Sequence, residues 1–120
     1  MYQRHIIGKY GEDVAVRFLE QKGYKIIERN FSCRQGELDI IARNNEYIVF
    51  VEVKTRSNFL YGTPIDAVGK NKQKHIYKVA KYYLHIHRLE NHFVRFDVIE
   101  VFVDRGIAKV NHIEQVMWKM

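Results

Sequence analysis

The chain has 120 residues, 47% of them hydrophobic and 28% charged, and a formal charge of +6. That length suits a single domain (1-120) with a real core and no room for a second, and the composition excludes a disordered or low-complexity chain. Cys33 is the one cysteine, so an intrachain disulfide or a cysteine-rich zinc site is excluded.

No apolar run approaches the roughly 20 residues needed to span a bilayer. Met1 to His5 leads directly into a helical pattern with no secretory segment, so a cytoplasmic protein without a membrane partner is expected. The basic balance favours a polyanionic partner such as nucleic acid, although solubility alone also accounts for it.

Residues 8–22 read as a helix, with Tyr10, Val14, Ala15, Phe18 and Leu19 on one face and Gly23 at its end. Residues 24–31 form a first predicted strand. Residues 37–43 and 46–54 form an antiparallel pair joined at Asn44 and Asn45, which tolerate a left-handed turn. A loop with Gly62 and Pro64 follows, in which Thr63 and Asp66 are spaced as a short cap. After Gly69, residues 70–87 form a long helix with Ile76, Val79, Ala80, Tyr83 and Leu84 as its apolar stripe.

Residues 93–104 and 107–112 suggest a last strand pair around Arg105 and Gly106, and Trp118 is expected to cover core. The order α-β-β-β-α-β-β predicts an α/β fold, a mixed β-sheet flanked by helices. Its long helix allows a parallel strand to lie beside the third.

Chemistry concentrates on the central strand pair. Tyr47 to Val53 is nearly all apolar, as in a strand covered on both faces, yet it contains Glu52 and is followed by Lys54. A two-residue turn would pair Arg43 with Glu46, setting Glu37 opposite Glu52 and Asp39 opposite Phe50. Glu37, Asp39, Glu52 and Lys54 then share one face, opposed residues being about 5 Å apart. Facing glutamates repel unless a cation lies between them. Acids converging beside one lysine suit metal-assisted phosphodiester hydrolysis.

Two helical residues join this group. Glu12 lies at the border of the apolar face of the first helix, and Gln73 aligns with Ile76, Ala80 and Leu84. A first-turn acid favoured by the helix dipole explains Glu12 equally well. Arg34, Arg56, Lys70, Lys72 and Lys74, with Lys78 and Lys81 further along, could hold phosphates; Lys70, Lys74, Lys78 and Lys81 fall on the polar arc, which an ordinary solvated face explains at least as well. His85, His87 and His92 look like a metal cluster, but residues two apart on a helix do not share a face, so they are expected at the surface.

Gly11-Glu12, Gly23-Tyr24, the run Gly36 to Ala42, the run Phe50 to Arg56 and Lys72-Gln73 resemble, in order and spacing, the YraN-like uncharacterised bacterial family. That family is similar to the archaeal Holliday junction resolvases of the PD-(D/E)XK nuclease superfamily. The resemblance implies a restriction-endonuclease-like fold and a DNA endonuclease acting on branched or structured DNA, with a possible homodimer. It implies Mg²⁺ or Mn²⁺ held by Asp39, Glu52 and the Val53 carbonyl, with Glu12 reaching the ion through water. Lys54 would orient the attacking water or hold charge on the phosphate, and Gln73 would support it. Glu37 stands two residues before Asp39, where the superfamily nominally has a proline next to the aspartate, and is a spare carboxylate. A non-catalytic nucleic-acid-binding module of the same fold is the alternative, and a scaffold whose acids are merely ion-paired is a second.

Overall fold

The computed structural model describes residues 2–56 and 69–116, and for residues 2–7 and 70 the backbone alone. The features expected at Gly62, Thr63, Pro64, Asp66 and Trp118 lie outside the described residues. The elements are α1 (Tyr2–Gln21), β1 (Lys25–Cys33), β2 (Gly36–Arg43), β3 (Tyr47–Arg56), α2 (Lys70–Ile86), β4 (Phe93–Asp104) and β5 (Ile107–Ile113). Their order is the expected one. α1 begins at Tyr2 rather than Gly8, because a glycine inside a helix costs only about 1 kcal/mol and does not break it. It ends where Gly23 takes φ +95°, which lets Tyr24 N–H close on Leu19 O at 3.0 Å.

Among the described residues five strands form one sheet in chain order, β1-β2-β3-β4-β5. Only β3 and β4 run parallel, from Tyr47 beside Phe93 to Arg56 beside Phe102; the other neighbours are antiparallel. α1 covers one face through Ala15 and Leu19, which pack on Ile40, Val49, Val51, Ile99 and Val101. α2 covers the other through Ile76, Val79, Ala80 and Tyr83, against Leu38, Ile41, Ile48 and Phe50. Alternation along β3 therefore sends Val49 and Val51 toward α1 and Ile48 and Phe50 toward α2. Among the described residues no helix is long and apolar enough to cross a membrane.

Two departures from regular strand geometry shape the sheet. The β2–β3 register pairs Arg43 with Ile48 and Ile40 with Val51, two residues beyond the expected Arg43–Glu46 pair. Asn44 is the cause: its Oδ1 accepts the N–H groups of Glu46 and Tyr47 at 2.9 and 2.8 Å, which stabilises a longer loop. Glu37 is therefore not opposite Glu52; Asp39 is the residue that reaches its level. The second departure is in β2, where Leu38 packs on the α2 side and Ile40 on the α1 side although they are two apart. The facing strand is irregular too, with a register shift between Ile26 and Glu28 and Asn30 at φ 53°. The expected common face of Glu37 and Asp39 is lost at this switch, and Glu37 is exposed.

A buried polar network lies on the α1 side of β4. Asp97 is fully buried and accepts hydrogen bonds from Arg95 Nε and Nη2 at 2.9 and 2.8 Å, His112 Nε2 at 2.7 Å and Gln115 N–H at 3.0 Å. Arg95 also bonds the Tyr24 hydroxyl, tying β4 to the end of α1. Burial alone pushes the Asp97 carboxyl up, but hydrogen bonds from His112 and Arg95 outweigh it and hold it below the usual carboxylate range.

Candidate functional site

The acids meet where β2 and β3 separate. Their ladder runs only as far as Ile40 and Val51. One step beyond, Asp39 turns its side chain into the sheet, and Oδ2 accepts the Val53 N–H at 2.8 Å. A carboxylate thus replaces a backbone carbonyl as the partner of that amide, which fixes Asp39 beside Glu52. Continuing the β3 alternation, Glu52 and Lys54 lie on the α2 face, and β4 covers their far side through Val98 and Glu100.

Glu52 is 2% exposed. Lys72, in the first turn of α2, brings its ammonium to 3.1 Å from Glu52 Oε2. That approach is an ion pair without hydrogen-bond alignment, and Oε2 is a buried oxygen with no hydrogen bond. Burial, reinforced by the charge of Asp39 and opposed by Lys72 and Lys54, pushes the Glu52 carboxyl up to about 7. Burial likewise raises Asp39, against the Val53 amide and Lys72, while Glu12 and Glu37 add to the rise. Burial and the neighbouring Lys72 charge lower Lys54. Burial opposes charge on Lys72 too, but the Glu52 carboxylate prevails and holds it above the usual lysine value.

Glu12 is placed near Asp39 by a close helix–strand contact. A Cβ on buried Gly11 would stand 1.9 Å from Thr55 Oγ1, so only glycine allows α1 to come this near β3. Glu12 Oε1 then accepts Arg29 Nη2 at 2.9 Å and Asn30 Nδ2 at 3.0 Å, while Arg29 also reaches Asp13 at 2.6 Å. The left-handed Asn30 backbone turns its amide toward the helix, a conformation asparagine tolerates.

The remaining expected residues distribute more widely. Gln73 is half-buried in the first turn of α2, near this corner. Arg34, in the β1–β2 turn, and Lys74 are exposed, and the Lys70 side chain lies outside the described residues. Arg56 is half-buried with Nε 3.5 Å from Glu100 Oε2, a further buried carboxylate that the sequence does not flag. His85, His87 and His92 are at the surface. A pocket of about 410 Å³ is lined by Gln35, Lys78, Lys81, Tyr82, His85 and Glu90, away from the acid pair.

Among the described residues no three histidine, cysteine, aspartate or glutamate side chains converge as a metal cage. Two carboxylates do converge, and hard cations of the Mg²⁺ type are commonly held by one or two carboxylates with the rest of the shell water. The buried Oε2 without a hydrogen bond and the oxygen-only donor set fit such an ion. Lys72, expected from the sequence as a phosphate contact, also stands within ion-pair distance of Glu52, which the sequence does not show. Its signal is electrostatic: no acid offsets the positive end of the helix in the first turn of α2, where a lysine is disfavoured unless a partner holds it.

Residues 11–101 match the profile of "Uncharacterised protein family UPF0102". A UPF0102 protein of Clostridium perfringens strain 13 is 54% identical over 95 residues, 79% of this chain and 78% of that protein. One from Caldicellulosiruptor bescii is 46% identical over 111 residues, 90% of this chain and 93% of that protein. One from Clostridium botulinum strain Hall is 48% identical over 99 residues, 82% and 80% respectively.

Proposed function

The chain belongs to the uncharacterised family UPF0102, and from its acid–lysine corner we propose that it is a metal-dependent endonuclease acting on branched or otherwise structured DNA. One observation carries the reading: Asp39 and Glu52 are held together, sheltered, beside Lys54 and Lys72, with a Glu52 oxygen buried and without a hydrogen bond. Two crowded carboxylates whose protons bind unusually tightly are costly to a fold, and a doubly charged ion converts that cost into a binding site.

In this reading Asp39 and Glu52 hold Mg²⁺ or Mn²⁺, with the Val53 carbonyl as a further oxygen ligand. The bound ion supplies Lewis acidity and a lowered pKa for its water. Lys54, with a proton affinity below an ordinary lysine, holds charge at a phosphate oxygen or orients the attacking water. Gln73 supports Lys54 from the first turn of α2. Glu12, fixed by Arg29 and Asn30, reaches the ion through water, and exposed Glu37 adds negative potential from the edge. Arg34 and the lysines of α2 receive the DNA backbone, so recognition is by shape and phosphates rather than base edges.

The test is cleavage of labelled four-way junctions, flaps and single strands, with and without Mn²⁺. Asp39→Asn and Lys54→Ala are expected to lose cutting by at least about a hundredfold while keeping binding. Binding of all substrates with no cutting in Mn²⁺ replaces this reading with a non-catalytic nucleic-acid-binding module. The commitment of Glu12 Oε1 to Arg29 and Asn30 favours that second reading.

A further inference from the structure

We propose that Lys72 is the resident occupant of the cation position, so that a divalent ion enters the acid pair only as the Lys72 ammonium leaves it. The inference rests on the nuclease reading and adds a built-in competitor to its site.

The geometry sets up an exchange. Lys72 Nζ lies 3.1 Å from Glu52 Oε2, the buried oxygen with no hydrogen bond and the atom an incoming ion has most to gain from. With both acids ionised, the two negative charges of Asp39 and Glu52 balance the two positive charges of Lys54 and Lys72. Adding a divalent ion with both ammonium groups in place would leave a shielded excess of positive charge, which is strongly unfavourable.

Lys72 is the group able to leave. Its side chain is 49% exposed against 3% for Glu52, so the long stem can turn the ammonium into water without disturbing the core. Its position in the first turn of α2 opposes the helix dipole, and Glu52 is its one ion-pair partner among the described residues. Lys54 instead projects from β3, beside β4, and is half-buried. Once an ion engages Glu52, no other ion pair among the described residues holds Lys72, and its head is delivered to the surface where a phosphodiester would lie. By linkage, whatever takes up the freed ammonium tightens the ion by the same factor.

The experiment is Mn²⁺ binding to the full chain at pH 8, read from the free-ion electron paramagnetic resonance signal, for the wild type, Lys72→Met, Lys54→Met and Glu52→Gln. Lys72→Met is expected to tighten Mn²⁺ about tenfold or more, Lys54→Met to tighten it less, and Glu52→Gln to abolish saturable uptake. A second measurement needs no variant: Mg²⁺ should increase the rate at which Lys72 of the wild type is acetylated, followed by mass spectrometry. Equal affinity in wild type and Lys72→Met, an equal gain in Lys54→Met, or unchanged acetylation overturns the exchange and leaves the nuclease reading standing. Absence of saturable uptake in both wild type and Lys72→Met removes the metal site itself, and the exchange with it.

Discussion

Glu52 and Asp97 are both buried acids, and their surroundings push them in opposite directions. Glu52, at about 7 in the fold against 4.5 for an unconstrained glutamate, binds its proton more tightly when folded. Its contribution to stability is complete below about 4.5 and is lost as pH rises through about 7. In metal-free buffer, denaturant unfolding should show a loss on the order of 3 kcal/mol across that window. Glu52→Gln, which keeps the shape and cannot ionise, should flatten the profile. Asp97 sits below its ordinary 3.8, so its contribution is present above that value and is lost as pH falls through its folded value. Asp97→Ala leaves Arg95 buried without its carboxylate, and a loss of about 3–5 kcal/mol is expected in urea unfolding at pH 7. A loss under about 1 kcal/mol would show that the network contributes little to the fold.

Between elements, the contact that matters most to the site is Gly11 against Thr55. An alanine at Gly11 would meet Thr55 Oγ1 at 1.9 Å, Cγ2 at 2.8 Å and Cβ at 2.9 Å, and the last of these is not a flexible tip. Gly11→Ala is therefore expected to cost about 1–3 kcal/mol and to move Glu12 away from Asp39. Thr55→Ala removes the two nearer atoms, so the double variant should recover part of the loss in a double-mutant cycle. Strict additivity would mean that the two residues do not press on each other.

The same scale shows what the sequence made legible. Helix stripes such as Ile76, Val79, Ala80 and Tyr83, and the alternation through β3, are patterns of period 3.6 and 2 that burial imposes directly. They suffice to place Glu52 and Lys54 on one face. The β2–β3 register was not legible, because the Asn44 side chain stabilises a loop two residues longer than the shortest turn. Nor was the face change at Asp39, which lies across from a left-handed Asn30 in a different strand. Lys72 is one of several lysines along α2 until the packing of that helix brings Glu52 to it. Pairing across elements leaves no period in the chain.

For the molecule as a whole, the charge of +6 sets how a nucleic acid would be held. If about six phosphates are contacted, affinity should fall by about three orders of magnitude between 50 and 200 mM salt, as fluorescence anisotropy can measure. Binding that survives 0.5 M salt would instead favour an interaction protein with little dependence on phosphates.

Strand order that follows chain order also bears on how the molecule is made. Synthesis from the N-terminus completes β1, β2 and β3 before any residue of α2 exists, and neighbouring strands can pair as they emerge. Asp39 and Glu52 are then brought side by side while their principal counter-charge is still untranslated. The nascent hairpin thus carries an unmet negative spot at one corner, and the lysine-rich start of the next helix is the first thing made that can answer it. Attraction between the two would guide that helix to the proper end of the sheet as its apolar stripe settles on Leu38, Ile41, Ile48 and Phe50.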